Sequence, residues 1–294
     1  MLLGLPNFEY LHSRTIKEAC SFLSTYKGEA VVMAGGTDLL VKMKHRKARP
    51  RYLVNIKKIP DLVYIVHDER EGLRIGALTT IQTIRNSPLV MKKFSVLNQA
   101  AGVLGTAQVR NLATLGGNLC NASPASECAP ALLTLEAKVK LAGPGGERIV
   151  PLESFFVGPG KSVLEKDEIL TEIQIPNTPP HTEGVHLKHG TRRVDVAIVG
   201  ATLLLTLAEG RCQDIRIGLG AVGPTPFRAR KAEALLRGEK IGGEMETLLA
   251  KVAQKASEES FPIDDIRGCA DYRKQVVEAL VKEGLERLVG QTGS

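Results

Sequence analysis

The stretch TLGGNLCNASPASECAPALL, residues 114–133, concentrates backbone control in a short span of chain. Gly116 and Gly117 stand side by side, Asn118 follows, and Pro124 and Pro130 steer the chain into an apolar Ala-Leu-Leu run. Paired glycines take positive φ and let a ligand come within hydrogen-bond reach of main-chain amides. Asn118 adds a side-chain donor and Thr114 a hydroxyl. Glu127 offers an acceptor suited to the hydroxyls of a sugar.

AGGTDLL, residues 34–40, is a second turn of this kind. The apolar stretch Ala30–Met33 is predicted as a strand that runs into Gly35-Gly36, with a helix beginning at Thr37 or Asp38. Helix N-termini expose unpaired N–H groups and so receive phosphates. Neither stretch matches GxGxxG or GxxxxGK[ST], which removes the Rossmann and P-loop readings. One Gly-Gly-Thr-Asp alone marks a tight turn. Two glycine turns at strand–helix boundaries leave two readings open: a pair of tight turns, or a diphosphate bound between two subdomains.

Outward from these turns, residues 1–58 read as a small α/β unit. Ile16, Ala19, Cys20 and Leu23 fall on one face of a helix over residues 13–26. Strands are predicted at 52–56, from Leu73, and at 168–175, and a hairpin at 138–151 around Gly143-Pro144-Gly145-Gly146. A helix capped by Thr79 or Thr80 follows the Leu73 strand, and a helical run covers 90–104. NTPPHTEG, residues 177–184, reads as a linker. Beyond it come strands at 186–188, 196–207 and 215–222, then helices at 228–236, 245–257 and 270–288. The expected second half is a mixed sheet with antiparallel neighbours and helices on one side, an α+β domain.

The chain has 294 residues, enough for two packed cores, and 24% charged residues, the balance of a soluble globular protein. Its longest apolar stretch, residues 194–208, is broken by Asp195, Gly200 and two threonines, so no membrane span is expected. The N-terminus lacks the basic and apolar regions of an export signal. Five scattered cysteines form no CxxC pair, and the expectation is free, largely buried thiols in a reducing cytosol, hence a cytoplasmic location. The net charge is +7, and residues 42–58 carry eight Lys or Arg without an acid. With 4% aromatics and no Trp, that run lacks base-stacking partners, so no nucleic acid is expected. His186 and His189 stand three apart on a strand and face opposite sides, which suits structural roles better than a metal pair.

AGGTDLL, QVRNLATLGGNLCNASPASECAP, EILTEIQIP, LKHGTRRVDVAIVGA and GAVGPTPFRARKAEALL occur in one order that resembles the FAD-binding (medium) subunit of the molybdenum hydroxylases. This is the xanthine dehydrogenase and carbon monoxide dehydrogenase family, and the likeness runs from about Phe8 to Leu288. It implies an α+β fold: a two-subdomain, vanillyl-alcohol-oxidase-type FAD-binding domain over 1–178 (subdomains about 1–58 and 59–178), then a C-terminal α+β domain over 179–294. By position, Met33, Ala34, Gly35, Gly36, Thr37, Asp38 and Leu39 would wrap one side of the FAD diphosphate. Thr114, Gly116, Gly117, Asn118 and Cys120 would hold the other side. Ser126 and Glu127 would meet the ribose or adenine end, although the family more often has Asp at the latter position. Ile169 and Leu170 would pack near the adenine, Leu104 and Gly105 would line the ring, and Lys188 would lie near its polar edge. Asp195 is the candidate at the flavin's reactive edge.

The resemblance implies noncovalent FAD, since no His or Cys holds a recognisable attachment position, and no metal on this chain. It also implies partners: a [2Fe–2S] small subunit and a molybdopterin large subunit, in a dimer of heterotrimers. The chain would pass electrons from the former to an acceptor, NAD being the first candidate beside a quinone, ferredoxin or oxygen. It would not act on substrate alone. Two other readings remain: a self-sufficient reductase of the UDP-N-acetylenolpyruvoylglucosamine reductase type, and a non-enzymatic basic binding domain.

Overall fold

A computed structural model describes residues 4–192, 194–242 and 245–291. The first sheet is small and wholly parallel: β1 (Glu9–His12), β2 (Ala30–Met33) and β3 (Tyr52–Asn55) lie in the order β1-β3-β2. Parallel neighbours need crossover connections. Helix α1 (Ile16–Thr25) supplies the first, its start held by Thr15, which accepts the Glu18 amide at 3.1 Å, while Glu18 accepts the Arg14 amide at 2.7 Å. Helix α2 (Leu39–Lys44) supplies the second. It begins at Leu39, not at Thr37 or Asp38, because residues 35–38 form a turn with Gly36 at φ +77°.

The second sheet is antiparallel. It runs β4 (Ile65–Asp68), β5 (Gly72–Gly76), β10 (Ile169–Ile175), β6 (Lys138–Gly143), β7 (Gly146–Pro151). The hairpin of β6 and β7 turns on Pro144-Gly145, with Gly143 opposite Gly146. A two-stranded ribbon, β8 (Phe156–Gly158) and β9 (Lys161–Ser162), precedes β10. Between β5 and β6 the chain forms α3 (Ile81–Asn86), α4 (Pro88–Lys93), α5 (Ser95–Val103), α6 (Ala107–Leu112), α7 (Leu115–Cys120) and α8 (Cys128–Thr134). A short α9 (Leu152–Phe155) follows β7. Leu73, Ile75, Leu97, Leu115, Leu132 and Ile173 belong to the shared core of helices and sheet. A smaller cluster joins the first two sheets: Ala19, Leu23 and Val54 pack with Leu78 and Ile169.

The third sheet orders its strands as they occur: β11 (Thr182–His189), β12 (Val199–Ala208), β13 (Arg211–Gly220), β14 (Phe227–Arg228). Every pair in it is antiparallel, so the expectation of a mixed sheet is corrected. Tight connections explain this, such as Glu209-Gly210, both at positive φ, which returns the chain directly alongside. Helices α10 (Arg230–Leu236), α11 (Glu246–Glu258) and α12 (Ala270–Gln291) form a core with Val199, Ala201, Leu203 and Leu205 on one face of β12. The opposite face carries Leu204 into the core of the second sheet and receives α5 and α8. Coverage on both faces accounts for the long apolar run of β12, which does not alternate as a half-exposed strand would. The stretch read as a linker is already strand from Thr182.

Candidate functional site

The two glycine turns face each other across a crevice of about 470 Å³. One wall comes from the end of β2 and the turn into α2, the other from α6, α7 and residues 121–127, and β10 supplies part of the floor. Close backbone approach makes this geometry. A Cβ on Gly35 would lie 2.1 Å from the Leu112 carbonyl oxygen, so glycine lets the first turn press against the end of α6. The amides of Gly35, Gly36, Thr37 and Asp38 have no hydrogen-bond partner among the described residues. They are the donors an anion needs.

The second turn differs from expectation. Its glycine amides are already engaged: Gly116 donates to the Ala77 carbonyl at 2.9 Å and Gly117 to the Thr114 hydroxyl at 3.1 Å. The Thr114 side chain is therefore a helix cap. What this turn presents to the crevice is a stretch without side chains, Gly116-Gly117. A Cβ on Gly117 would crowd the Thr114 Oγ1 at 2.8 Å, and its next neighbour would be the Ala34 Cβ at 3.9 Å. Asn118 stands beside it, its Oδ1 accepting from the Ser126 hydroxyl at 2.6 Å, which leaves its Nδ2 as donor. Ser126 also accepts the Ala129 amide, so this hydroxyl fixes Asn118 and the start of α8.

Among the sequence candidates, Ala34, Gly35, Gly36, Thr37, Asp38, Leu39, Leu104, Gly105, Thr114, Gly116, Gly117, Asn118, Cys120, Ser126, Glu127, Ile169 and Leu170 all line the crevice. Three candidates do not. Met33 is buried with Met43 and Leu53 behind β2, because the strand's alternation turns it away. Asp195 is half-buried and lies off the lining, which its neighbours Val194 and Val196 provide. Lys188 sits behind the wall: its ammonium donates to the Val103 carbonyl and to Glu127, each at 3.0 Å. Burial pushes the Glu127 carboxyl above its ordinary range, and Lys188 draws it part of the way back. Burial likewise raises the Cys120 thiol to about 12, which keeps it protonated and unreactive at neutral pH.

Sequence reading passed over several residues that shape the site. Arg110 is buried and donates to the carbonyls of Leu104 and Gly105 at 3.0 and 2.9 Å, fixing the turn with Gly105 at φ +48°. Lys42, Asn121, Ser123, Leu164 and Glu168 also line the crevice. Lys42 and Asn121 were visible only as members of a basic run and of NLCNASP. The two histidines divide as expected: His186 bonds the Thr202 hydroxyl inside the protein, and burial lowers its pKa to about 4, whereas His189 meets the Tyr272 hydroxyl.

The crevice thus has unpaired amides on one side, the side-chain-free Gly116-Gly117 turn opposite, and apolar surfaces from Leu104, Ile169, Leu170, Val194 and Val196. The family described as FAD binding domain in molybdopterin dehydrogenase matches residues 6–178, and the CO dehydrogenase flavoprotein C-terminal domain matches 188–288. The chain belongs to this family, the FAD-binding medium subunits of xanthine and carbon monoxide dehydrogenase-like enzymes. It is thus an oxidoreductase subunit whose cofactor is FAD.

The particular relatives span its full length. A carbon monoxide dehydrogenase medium chain of Hydrogenophaga pseudoflava is 32% identical, covering 95% of this chain and 96% of that one. A putative xanthine dehydrogenase FAD-binding subunit of Escherichia coli is 30% identical over 97% of each. The solved carbon monoxide dehydrogenase of Hydrogenophaga pseudoflava superposes with a TM-score of 0.93 at 33% identity, covering 97% of this chain and 98% of that one. The quinoline 2-oxidoreductase of Pseudomonas putida gives 0.91 at 29% identity, covering 98% and 99%. The match of residues 188–288 to the flavoprotein C-terminal domain favours this family over the self-sufficient reductase.

Proposed function

We propose that the chain is the electron-relay component of a heteromeric molybdenum hydroxylase. It holds FAD noncovalently, receives electrons from a [2Fe–2S] subunit and delivers them to an external acceptor, while substrate is transformed on a molybdopterin subunit. Bound FAD supplies the exchange between one-electron and two-electron transfer. The chain's own residues bind and orient. The amides of residues 35–38 and the Asn118 Nδ2 are the donors for the diphosphate, and Gly117, which has no side chain, lets it approach. Leu104, Ile169, Leu170, Val194 and Val196 give the crevice its apolar surfaces. Arg110 and the Lys188–Glu127 pair fix the wall behind.

The observation that carries this reading is the run of unpartnered amides at residues 35–38 across the crevice from the second glycine turn. The names of the relatives support the division of labour. Medium chains or subunits of carbon monoxide, glyceraldehyde and nicotine enzymes resemble this chain to the same degree, 31–32%. A chain that tolerates such different substrates is not the one that selects them. Purification of the chain from its native host tests the reading. A flavin spectrum, co-purified iron–sulfur and molybdopterin chains, and no turnover by the separated chain are the expected results. A colourless chain, or substrate oxidation by the separated chain, refutes it.

A further inference from the structure

Among the described residues that line the crevice, Lys42 is the one with a cationic side chain. The other seven basic residues of the run 42–58 lie off the lining. Among the described residues its ammonium meets no carboxylate. It donates to the neutral Asn121 Oδ1 at 2.6 Å, and the Asn121 Nδ2 donates in turn to the Asp38 Oδ1 at 3.1 Å. These bonds bridge the two walls, since Lys42 and Asp38 belong to the first glycine turn and its helix and Asn121 ends α7.

The remaining charges around the crevice are acidic. Glu127 is paired with Lys188 and Glu168 with Arg148, so both are neutralised from outside the lining. Among the described residues Lys42 is the one charge that offsets Asp38, and burial already pushes the Asp38 carboxyl upward. A diphosphate entering between the glycine turns would add negative charge beside Asp38. Lys42, one helical turn beyond that residue on a flexible stem, is the available counter-charge.

Resting on the FAD reading of this crevice, we infer that Lys42 is a cofactor-binding residue: it neutralises the diphosphate of FAD, and Asn121 holds its ammonium at the mouth of the crevice until the cofactor arrives. Amide donors alone orient a phosphate but leave its charge uncompensated. An ammonium adds a charge-assisted contact whose strength falls with salt.

Titration of the deflavinated full-length chain with FAD, followed by quenching of flavin fluorescence, tests this. Replacing Lys42→Met is expected to raise the Kd about tenfold at low salt, by loss of one charge-assisted contact. The salt dependence of the Kd should flatten with it, and Lys42→Arg should restore most of the affinity. ADP and adenosine serve as competing probes: Lys42→Met should weaken ADP and leave adenosine, which lacks phosphate, unchanged. Wild-type affinity in Lys42→Met, or equal weakening of ADP and adenosine, overturns the assignment while the FAD reading stands. A wild-type chain that takes up no FAD removes the reading of the crevice and this assignment together.

Discussion

Glycines that look alike in the sequence differ in what surrounds them. At Gly116 an added Cβ would meet the Ala77 Cβ at 2.7 Å and its carbonyl oxygen at 2.8 Å, so that glycine belongs to packing. At Gly117 the close atom is one side-chain oxygen, the Thr114 Oγ1 at 2.8 Å that caps α7, and the next is the Ala34 Cβ at 3.9 Å on the facing wall. The two neighbours should therefore fail differently. Gly116→Ala is expected to lower stability by about 1–3 kcal/mol through overpacking, seen as a lower melting temperature. Gly117→Val is expected to remove bound FAD and to strain the Thr114 cap of α7 at a cost of about 1 kcal/mol, seen as FAD per chain beside a modestly lowered melting temperature and a retained circular dichroism spectrum. Equal FAD occupancy in Gly117→Val and wild type would defeat the placement of the diphosphate. The sequence makes the glycine pairs legible, but which member yields to protein and which to ligand depends on Leu112 and Ala77, brought there by tertiary folding. For the same reason the amides of Gly116 and Gly117 look free in the sequence and are engaged in the fold.

Elements were legible where periodicity and capping agree, and less so where packing alone decides. The helical run over 90–104 is two helices, α4 and α5, that part at Phe94, a core residue with neither glycine nor proline to announce a break. Its true start did carry a signal: Ser87 accepts the Val90 amide at 3.3 Å and Pro88 takes the first helical position. The segment before α12 shows how charge fixes a helix entry. Asp264 accepts the Ala270 amide at 2.6 Å, and Asp265 accepts from the Arg267 side chain and amide and from Arg273. Arg267, then Arg273, hold the Asp265 carboxyl down at about 2 against an ordinary 3.8. A depressed carboxyl contributes stability that is complete above its unfolded pKa and is lost as pH falls through its folded one. Wild-type stability should accordingly fall more steeply than that of Asp265→Asn between pH 3.8 and about 2, measured by denaturant unfolding across that range. Parallel slopes in the two proteins would show that these arginines do not anchor the helix entry.

The whole molecule depends on a seam between the third sheet and the helices α5 and α8, and this was the least legible feature. The sequence shows β12 as an apolar run and cannot say that its two faces serve two different cores. Glycines make the seam close: a Cβ on Gly218 would lie 2.5 Å from the Pro130 carbonyl oxygen, and one on Gly184 would lie 2.4 Å from the Val96 Cγ1. Polar contacts cross the same boundary. Lys188 reaches Glu127 and Val103, the His186 amide donates to Gln99 Oε1 at 2.9 Å, and Arg228, itself paired with buried Glu233, reaches Glu136 at 3.2 Å. The wall behind the crevice is thus held by residues of the third sheet, which couples the folding of the second half to the cofactor site of the first. Gly218→Val tests that coupling, because Pro130 presents backbone that cannot turn aside, and α8 must move away from β13. The expected cost is about 3 kcal/mol, at the upper end for overpacking. Calorimetry should then resolve two transitions where wild type shows one, and FAD affinity should drop although Gly218 does not line the crevice. If the variant melts in one step at the wild-type temperature with undiminished FAD binding, the seam does not hold the site in place.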